Sequence, residues 1–105
     1  QKIVEIDEDG TVVTRAHSGK PNRMIRNQFT DSWTGREKDI KPFPQQLRDV
    51  GEDRSYRGRI KGDTEEGVLP AGQGSGLISS VPPAGEVVTN IVEEAISLLA
   101  SWDRA

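Results

Sequence analysis

The stretch Ala71-Gly72-Gln73-Gly74-Ser75-Gly76-Leu77-Ile78, continuing through Ser79-Ser80-Val81-Pro82-Pro83 into AGEVVTNIVEEAISLLASW at residues 84–102, decides how the chain is read. Its second half predicts a helix from about Pro83 to Trp102. Val88, Val92, Ala95, Leu99 and Trp102 fall at offsets 0, 4, 7, 11 and 14, and Ile91 and Leu98 widen the stripe. Glu86, Asn90, Glu93, Glu94, Ser97 and Ser101 largely take the other side. The preceding Pro pair preorganises a helix start. A stripe of this kind needs cover, since each Val, Leu or Ile side chain moved out of water contributes about 1.5–3 kcal/mol. Nothing else in the chain is comparably apolar, so the partner of this helix is expected in a sheet or helix layer that these residues do not contain.

Composition agrees with a chain short of core. At 105 residues one core is the most it can hold. Leu, Ile, Val and Phe make up 24 of the 105, only a little above the range typical of disorder, and eleven Gly and six Pro leave long stretches with little to bury. The absence of Cys excludes a disulfide framework, a thiol nucleophile and a thiolate metal site, and a single His cannot build an imidazole metal centre, so no metal-ligating residue is assigned. No apolar run approaches the roughly 20 residues of a membrane span, and the start lacks a signal-peptide pattern. A cytoplasmic protein without a membrane partner is expected. The opening Gln1, in place of Met, points to a processed or incomplete product.

The net charge of −3 conceals three blocks: −3 over residues 1–14, +6 over residues 15–61 and −6 over residues 62–105. A basic middle faces anions, such as a phosphate, an anionic substrate or nucleic acid. The competing reading is a solvated mixed surface. It is favoured by the interspersed Asp31, Glu37, Asp39, Asp49, Glu52 and Asp53, and by the small aromatic set, Phe29, Trp33, Phe43 and Tyr56, available to stack on bases.

Lys2 to Ile6 and Thr11 to Arg15 are β-branched runs joined by Asp7-Glu8-Asp9-Gly10, which reads locally as a hairpin; the alternative is a helix end leading into a strand at Thr11 to Thr14. Ser18-Gly19-Lys20-Pro21 followed by Met24, Ile25, Phe29 and Trp33 predicts a helix from about Pro21 to Ser32. Thr34 to Gly67 reads as mostly loop, with one short helix at Gln45 to Val50.

The glycine stretch exposes backbone N–H groups, the means by which a loop approaches a phosphate, a flavin or a substrate; the plainer reading is a tight bend before the last helix. It is no dinucleotide fingerprint, because the third Gly position is Leu77, and Gly19-Lys20 is no Walker A loop, because Pro21 follows. His17 beside Ser18 reads as a surface or structural histidine. Glu65-Glu66 and Glu93-Glu94 are adjacent pairs whose side chains diverge, poor acid/base dyads. Arg15, Arg23 and Arg26 form either an anion cradle or, as favoured here, pairs with Asp31 and the acidic first block.

Several of these pieces, in this order, resemble the C-terminal part of the nitronate monooxygenase family, formerly 2-nitropropane dioxygenases, and of its relative the flavin-dependent enoyl-acyl-carrier-protein reductase of the second type. The pieces are Thr14-Arg15 with Ser18-Gly19-Lys20-Pro21, Arg23 and Asn27; Gly62-Asp63; Ala71 to Ile78; and the closing helix, together covering about residues 11–102. The resemblance implies an α/β fold in which this chain is the C-terminal segment, lid plus last helix, of a TIM-barrel flavoprotein. A complete barrel takes about 250 residues. Residues 1–67 then make a lid-like segment with short strands and helices, and residues 68–105 a glycine-rich loop and the barrel's C-terminal amphipathic helix.

The resemblance also implies FMN as cofactor, and as partners the remainder of the barrel and a small-molecule substrate, a nitronate oxidised with O2. An enoyl thioester reduced with NAD(P)H is the alternative. The family's flavin-phosphate loops and its catalytic His, in a His-Gly-Gly context, belong to upstream segments, and His17 is not that His. No catalytic residue is therefore assigned here, while Gly72, Gln73, Gly74 and Ser75 are expected near the flavin. A reading from another class remains beside it: a small non-enzymatic module binding nucleic acid or an acidic partner through residues 15–61.

Overall fold

The acidic turn at residues 7–10 leads out of a helix, not a strand. In the computed structural model, which describes residues 2–103, Lys2–Glu5 form a short helix (α1) and Thr11–Thr14 the first strand (β1). Asp7 closes the turn between them, its side chain accepting from the Asp9 N–H (2.9 Å) and its carbonyl from the Gly10 N–H (3.1 Å). The hairpin expected between Lys2–Ile6 and Thr11–Arg15 is not formed, and the chain adopts the alternative. The partner of β1 is Asn22–Ile25 (β2), antiparallel, with Thr11 opposite Ile25 and Thr14 opposite Asn22.

That pairing corrects the helix expected from Pro21 to Ser32. Backbone groups of β2 are satisfied along both edges, by β1 on one side and by a strap at Leu69–Ala71 on the other. Ile25 N–H donates to the Leu69 carbonyl (2.9 Å), Ala71 N–H to the Arg23 carbonyl (3.2 Å), and Met24 bridges Pro70. Two rows of ladder bonds outweigh an apolar spacing that suits either structure. A helix does follow, Gln28–Trp33 (α2), but it begins at Asn27. The Asn27 side chain accepts from the Thr30 N–H (3.1 Å) and the Thr30 hydroxyl accepts from the Asn27 N–H (2.9 Å), a reciprocal cap.

Residues 34–67 carry more helix than the loop expected of them. Glu37–Asp39 form a 3-10 turn, and Leu47–Gly51 a π turn that runs into Glu52–Arg59 (α3). Gly58 sits inside α3 without breaking it, because the position serves a close approach. A Cβ on Gly58 would meet the Val68 carbonyl oxygen at 2.6 Å, and one on Gly67 would meet Gly58 Cα at 2.5 Å. The glycine pair lets the backbone of residues 67–68 lie against the helix, where Val68 N–H donates to the Arg54 carbonyl (3.0 Å).

Ala16, Met24, Phe29, Ile40 and Val68 form the core, with Val12, Trp33 and Val50 packed against it. Among the buried polar side chains is Gln46, 1% exposed, whose Nε2 donates to the Ala16 carbonyl (2.7 Å) and whose Oε1 accepts from the Lys41 N–H (3.1 Å). Both groups of the amide are satisfied, so its burial carries no desolvation penalty left unanswered.

Ala84–Asp103 form the last helix (α4), as expected, and it stands off this core. Val88, Ile91, Val92, Ile96, Leu98 and Leu99 are all more than half exposed, and Trp102 is 78% exposed. The Cα radius of gyration is 17.4 Å, against about 13 Å for a compact chain of this length. No helix among the described residues is long and apolar enough to cross a membrane.

Candidate functional site

The Leu69–Ala71 strap on β2 delivers the chain into the glycine stretch. Gln73–Leu77 turn as a 3-10 segment packed against α1, with the Ser75 N–H on the Gly72 carbonyl and the Ile78 N–H on the Ser75 carbonyl, both at 3.1 Å. Gly76 abuts the backbone of Asp7 and Glu8, which sets an acidic turn beside the loop. Of the four residues expected near a cofactor, Gly72, Gln73 and Gly74 are exposed and Ser75 is buried. A Cβ on Gly72 or Gly74 would meet nothing within 4 Å. The N–H groups of Gln73 and Gly74 donate to no acceptor among the described residues. The loop therefore presents an open, donor-bearing edge with Ser75 tucked beneath it.

A second constellation escaped sequence reasoning. His17, read there beside Ser18, has its Nε2 2.7 Å from Ser55 Oγ, on α3. Gly51 makes room for the approach, since a Cβ there would collide with the His17 carbonyl oxygen. Burial pushes the His17 imidazole below its usual range, and the Arg59 guanidinium pushes it the same way. Clefts of about 400 and 440 Å³ open beside it, and both are lined by His17, Ser55 and Arg59. No carboxylate among the described residues hydrogen-bonds His17, so the pair lacks the orienting acid of a nucleophile–base triad. The only signal in the sequence was the helical spacing of Ser55 and Arg59, hidden while residues 52–59 were read as loop.

The three arginines form neither the cradle nor the favoured pairs with Asp31 and the acidic first block, since none of them is in an ion pair among the described residues. Arg15 donates to the Glu37 carbonyl (3.4 Å), Arg23 to Thr11 Oγ1 (3.0 Å), and Arg26 is exposed. They are spread along two strands and their flanks, a consequence of β2 replacing the expected helix. Acids of the chain pair elsewhere: Glu65 with Lys2 (3.3 Å), Glu66 with Arg54 (2.6 Å) and Asp49 with Lys41 (2.6 Å). Hydrogen bonds from the Lys41 ammonium and the Gln45 amide hold the Asp49 carboxyl below its usual range, and backbone N–H groups of Glu66 and Glu65 do the same for Asp63. The aromatic residues considered for base stacking are taken up as well. Phe29 is in the core, Lys20 lies 4.1 Å over the Phe43 ring, Arg36 4.6 Å over Trp33 and Lys61 5.7 Å over Tyr56.

Comparison with known proteins adds a family. Residues 1–94 match the family model described as nitronate monooxygenase. A probable nitronate monooxygenase of Staphylococcus aureus strain MSSA476 is 35% identical over 92 residues, which are 88% of this chain and 25% of that protein. Its counterpart in strain JH9 is 34% identical over the same length. Among solved structures, FabK from Thermotoga maritima superposes with a TM-score of 0.73 at 29% identity, over 96% of this chain and 32% of that one. The M276A mutant of FabK from the same organism superposes at 0.71 and 26% identity, over 97% of this chain and 29% of that one. The chain thus spans a quarter of the length of the curated relatives it matches.

Proposed function

Since the chain belongs to the nitronate monooxygenase family, we propose that it serves as the lid and closing helix of an FMN-dependent oxidoreductase that oxidises alkyl nitronates with O2. Residues 1–67 are the lid, and residues 68–105 return the chain and lay α4 on the barrel. The observation that carries this reading is the bare stripe of α4, from Val88 to Trp102, in a chain whose structural likeness to FabK takes up 96% of its own length and 32% of FabK's. The remainder of the barrel is the cover that the stripe requires.

The residues at hand fit the edge of a flavin and not its phosphate. Gln73 and Gly74 offer free backbone donors, and Gly72 and Gly74 leave space for a close approach, while the acidic turn at Asp7-Glu8 beside Gly76 disfavours a phosphate there. FMN, when bound, supplies the redox chemistry, taking electrons from the substrate and passing them to O2. The share of this chain is to hold the ring edge at Gly72–Gly74, with Ser75 supporting the turn, and to limit the access of water and substrate. Such an enzyme works in the cytoplasm on a small molecule.

The likeness to FabK favours a second reading within the same family resemblance, reduction of an enoyl thioester with NAD(P)H. One assay separates them. The whole protein, loaded with FMN, is given an alkyl nitronate under O2, and separately NADPH with an enoyl thioester. Oxygen consumption with the nitronate supports the proposed function, NADPH oxidation dependent on the thioester supports the second reading, and neither activity contradicts both.

A further inference from the structure

The larger of the two clefts beside His17 lies between α1, β2 and α3 and has a volume of about 440 Å³, within the range of small-molecule sites. Its walls divide by chemistry. Ile3, Ile25, Val68 and Leu69 supply an apolar floor. Lys2 and Arg59 bring positive charge, and no Asp or Glu is among the lining residues. Lys2 is engaged by Glu5 and Glu65, whereas Arg59, like several other cations of the chain, forms no ion pair among the described residues and is the charge left to a ligand here.

The His17–Ser55 contact completes the set. His17 Nε2 and Ser55 Oγ share a hydrogen bond at 2.7 Å; in the tautomer protonated at Nε2 the imidazole donates, and the Ser55 O–H is left to donate to a ligand beside the Arg59 guanidinium in the same wall. A guanidinium and a hydroxyl at one place, above an apolar floor and in a wall that no carboxylate lines, match one ligand chemistry.

We infer that this cleft binds a small amphipathic anion, a single carboxylate or phosphate on an apolar body, with the head at Arg59 and Ser55 and the body along Ile3, Ile25, Val68 and Leu69. The inference rests on the cleft and does not depend on the flavin reading. It is tested by calorimetric titration of the whole protein with octanoate, octyl phosphate, octanol and inorganic phosphate. At least one of the two alkyl anions saturates at one per chain, at least tenfold tighter than octanol or inorganic phosphate. The tighter of the two heads identifies a carboxylate or a phosphomonoester source. Arg59→Gln weakens that binding at least tenfold and Ser55→Ala several-fold, while Arg48→Gln, at an exposed position outside the cleft, leaves it unchanged. Absence of saturable binding, octanol binding as tightly as the anions, or undiminished binding by the Arg59→Gln protein each overturns the inference.

Discussion

Asn27 donates from Nδ2 to the carbonyl of Gly67, 2.7 Å away and forty residues later in the chain. The same amide nitrogen donates to the Thr64 carbonyl (3.0 Å), and the side-chain oxygen caps α2 by accepting from the Thr30 N–H. One buried side chain thereby starts a helix and fastens the loop that carries the chain to Val68 and on toward the glycine stretch. Phe29 N–H, on the Glu65 carbonyl at 3.0 Å, adds a backbone bond to the same junction.

Replacing Asn27 by Ala removes the cap and leaves the buried Gly67 carbonyl without that donor. The two losses together cost about 2–4 kcal/mol. Asn27→Asp keeps an acceptor for Thr30 but sets carboxylate oxygens against two carbonyl oxygens, so it gains little over Ala. Denaturant titration followed by circular dichroism measures both; an Asp variant as stable as the parent contradicts the role given to Nδ2.

What could be read from the sequence divides along this junction. The helix at Ala84–Asp103 was legible because its period is local and unbroken, and its apolar stripe is exposed in the structure. The strand at Asn22–Ile25 was not, because the spacing of Ile25, Phe29 and Trp33 suits a helix, while the bonds that decide otherwise come from Leu69–Ala71. Helix α3 was missed within a stretch read as mostly loop because glycine is a poor helix former, whereas Gly51 and Gly58 are places where another backbone lies against the helix. The order of short pieces from Thr14 to Ile78 carried the family, which no single piece specified. At the site, exposure of Gly72–Gly74 was readable from composition, but the His17–Ser55 pair depends on a tertiary contact 38 residues apart.

Gly58→Ala tests that reading of the glycines. In an exposed helix the change would stabilise by about 1 kcal/mol. Here the new methyl meets the Val68 carbonyl oxygen, and the expected result is destabilisation by about 1–3 kcal/mol. A melting temperature that rises on this substitution would show that residues 67–68 do not lie against α3.

His17 makes stability depend on pH in a stated direction. Its pKa in the folded chain is lowered, first by burial and then by Arg59, so below pH 6.5 the unfolded chain takes up a proton more readily than the folded one. The contribution is complete above the unfolded value near 6.5 and is lost as pH falls from there through the folded value. His17→Gln flattens the dependence between pH 7 and the folded pKa, as read by melting temperature against pH. A histidine resonance titrating at or above 6.5 contradicts the burial described.

Gly74→Val isolates the cofactor edge from the fold. Within this chain a side chain at residue 74 enters open space and its backbone needs no positive φ, so the melting of the lid is unchanged. If the loop faces flavin, the same substitution lowers FMN occupancy or turnover at least tenfold in the whole protein. Unchanged occupancy and turnover place the flavin elsewhere.

Native mass spectrometry of the whole protein tests the central claim most directly, because it reports the polypeptide complement and the bound cofactor at once. The account predicts a species well above 11.5 kDa that carries one FMN for each copy of this chain. A bare 11.5 kDa chain without flavin would contradict it.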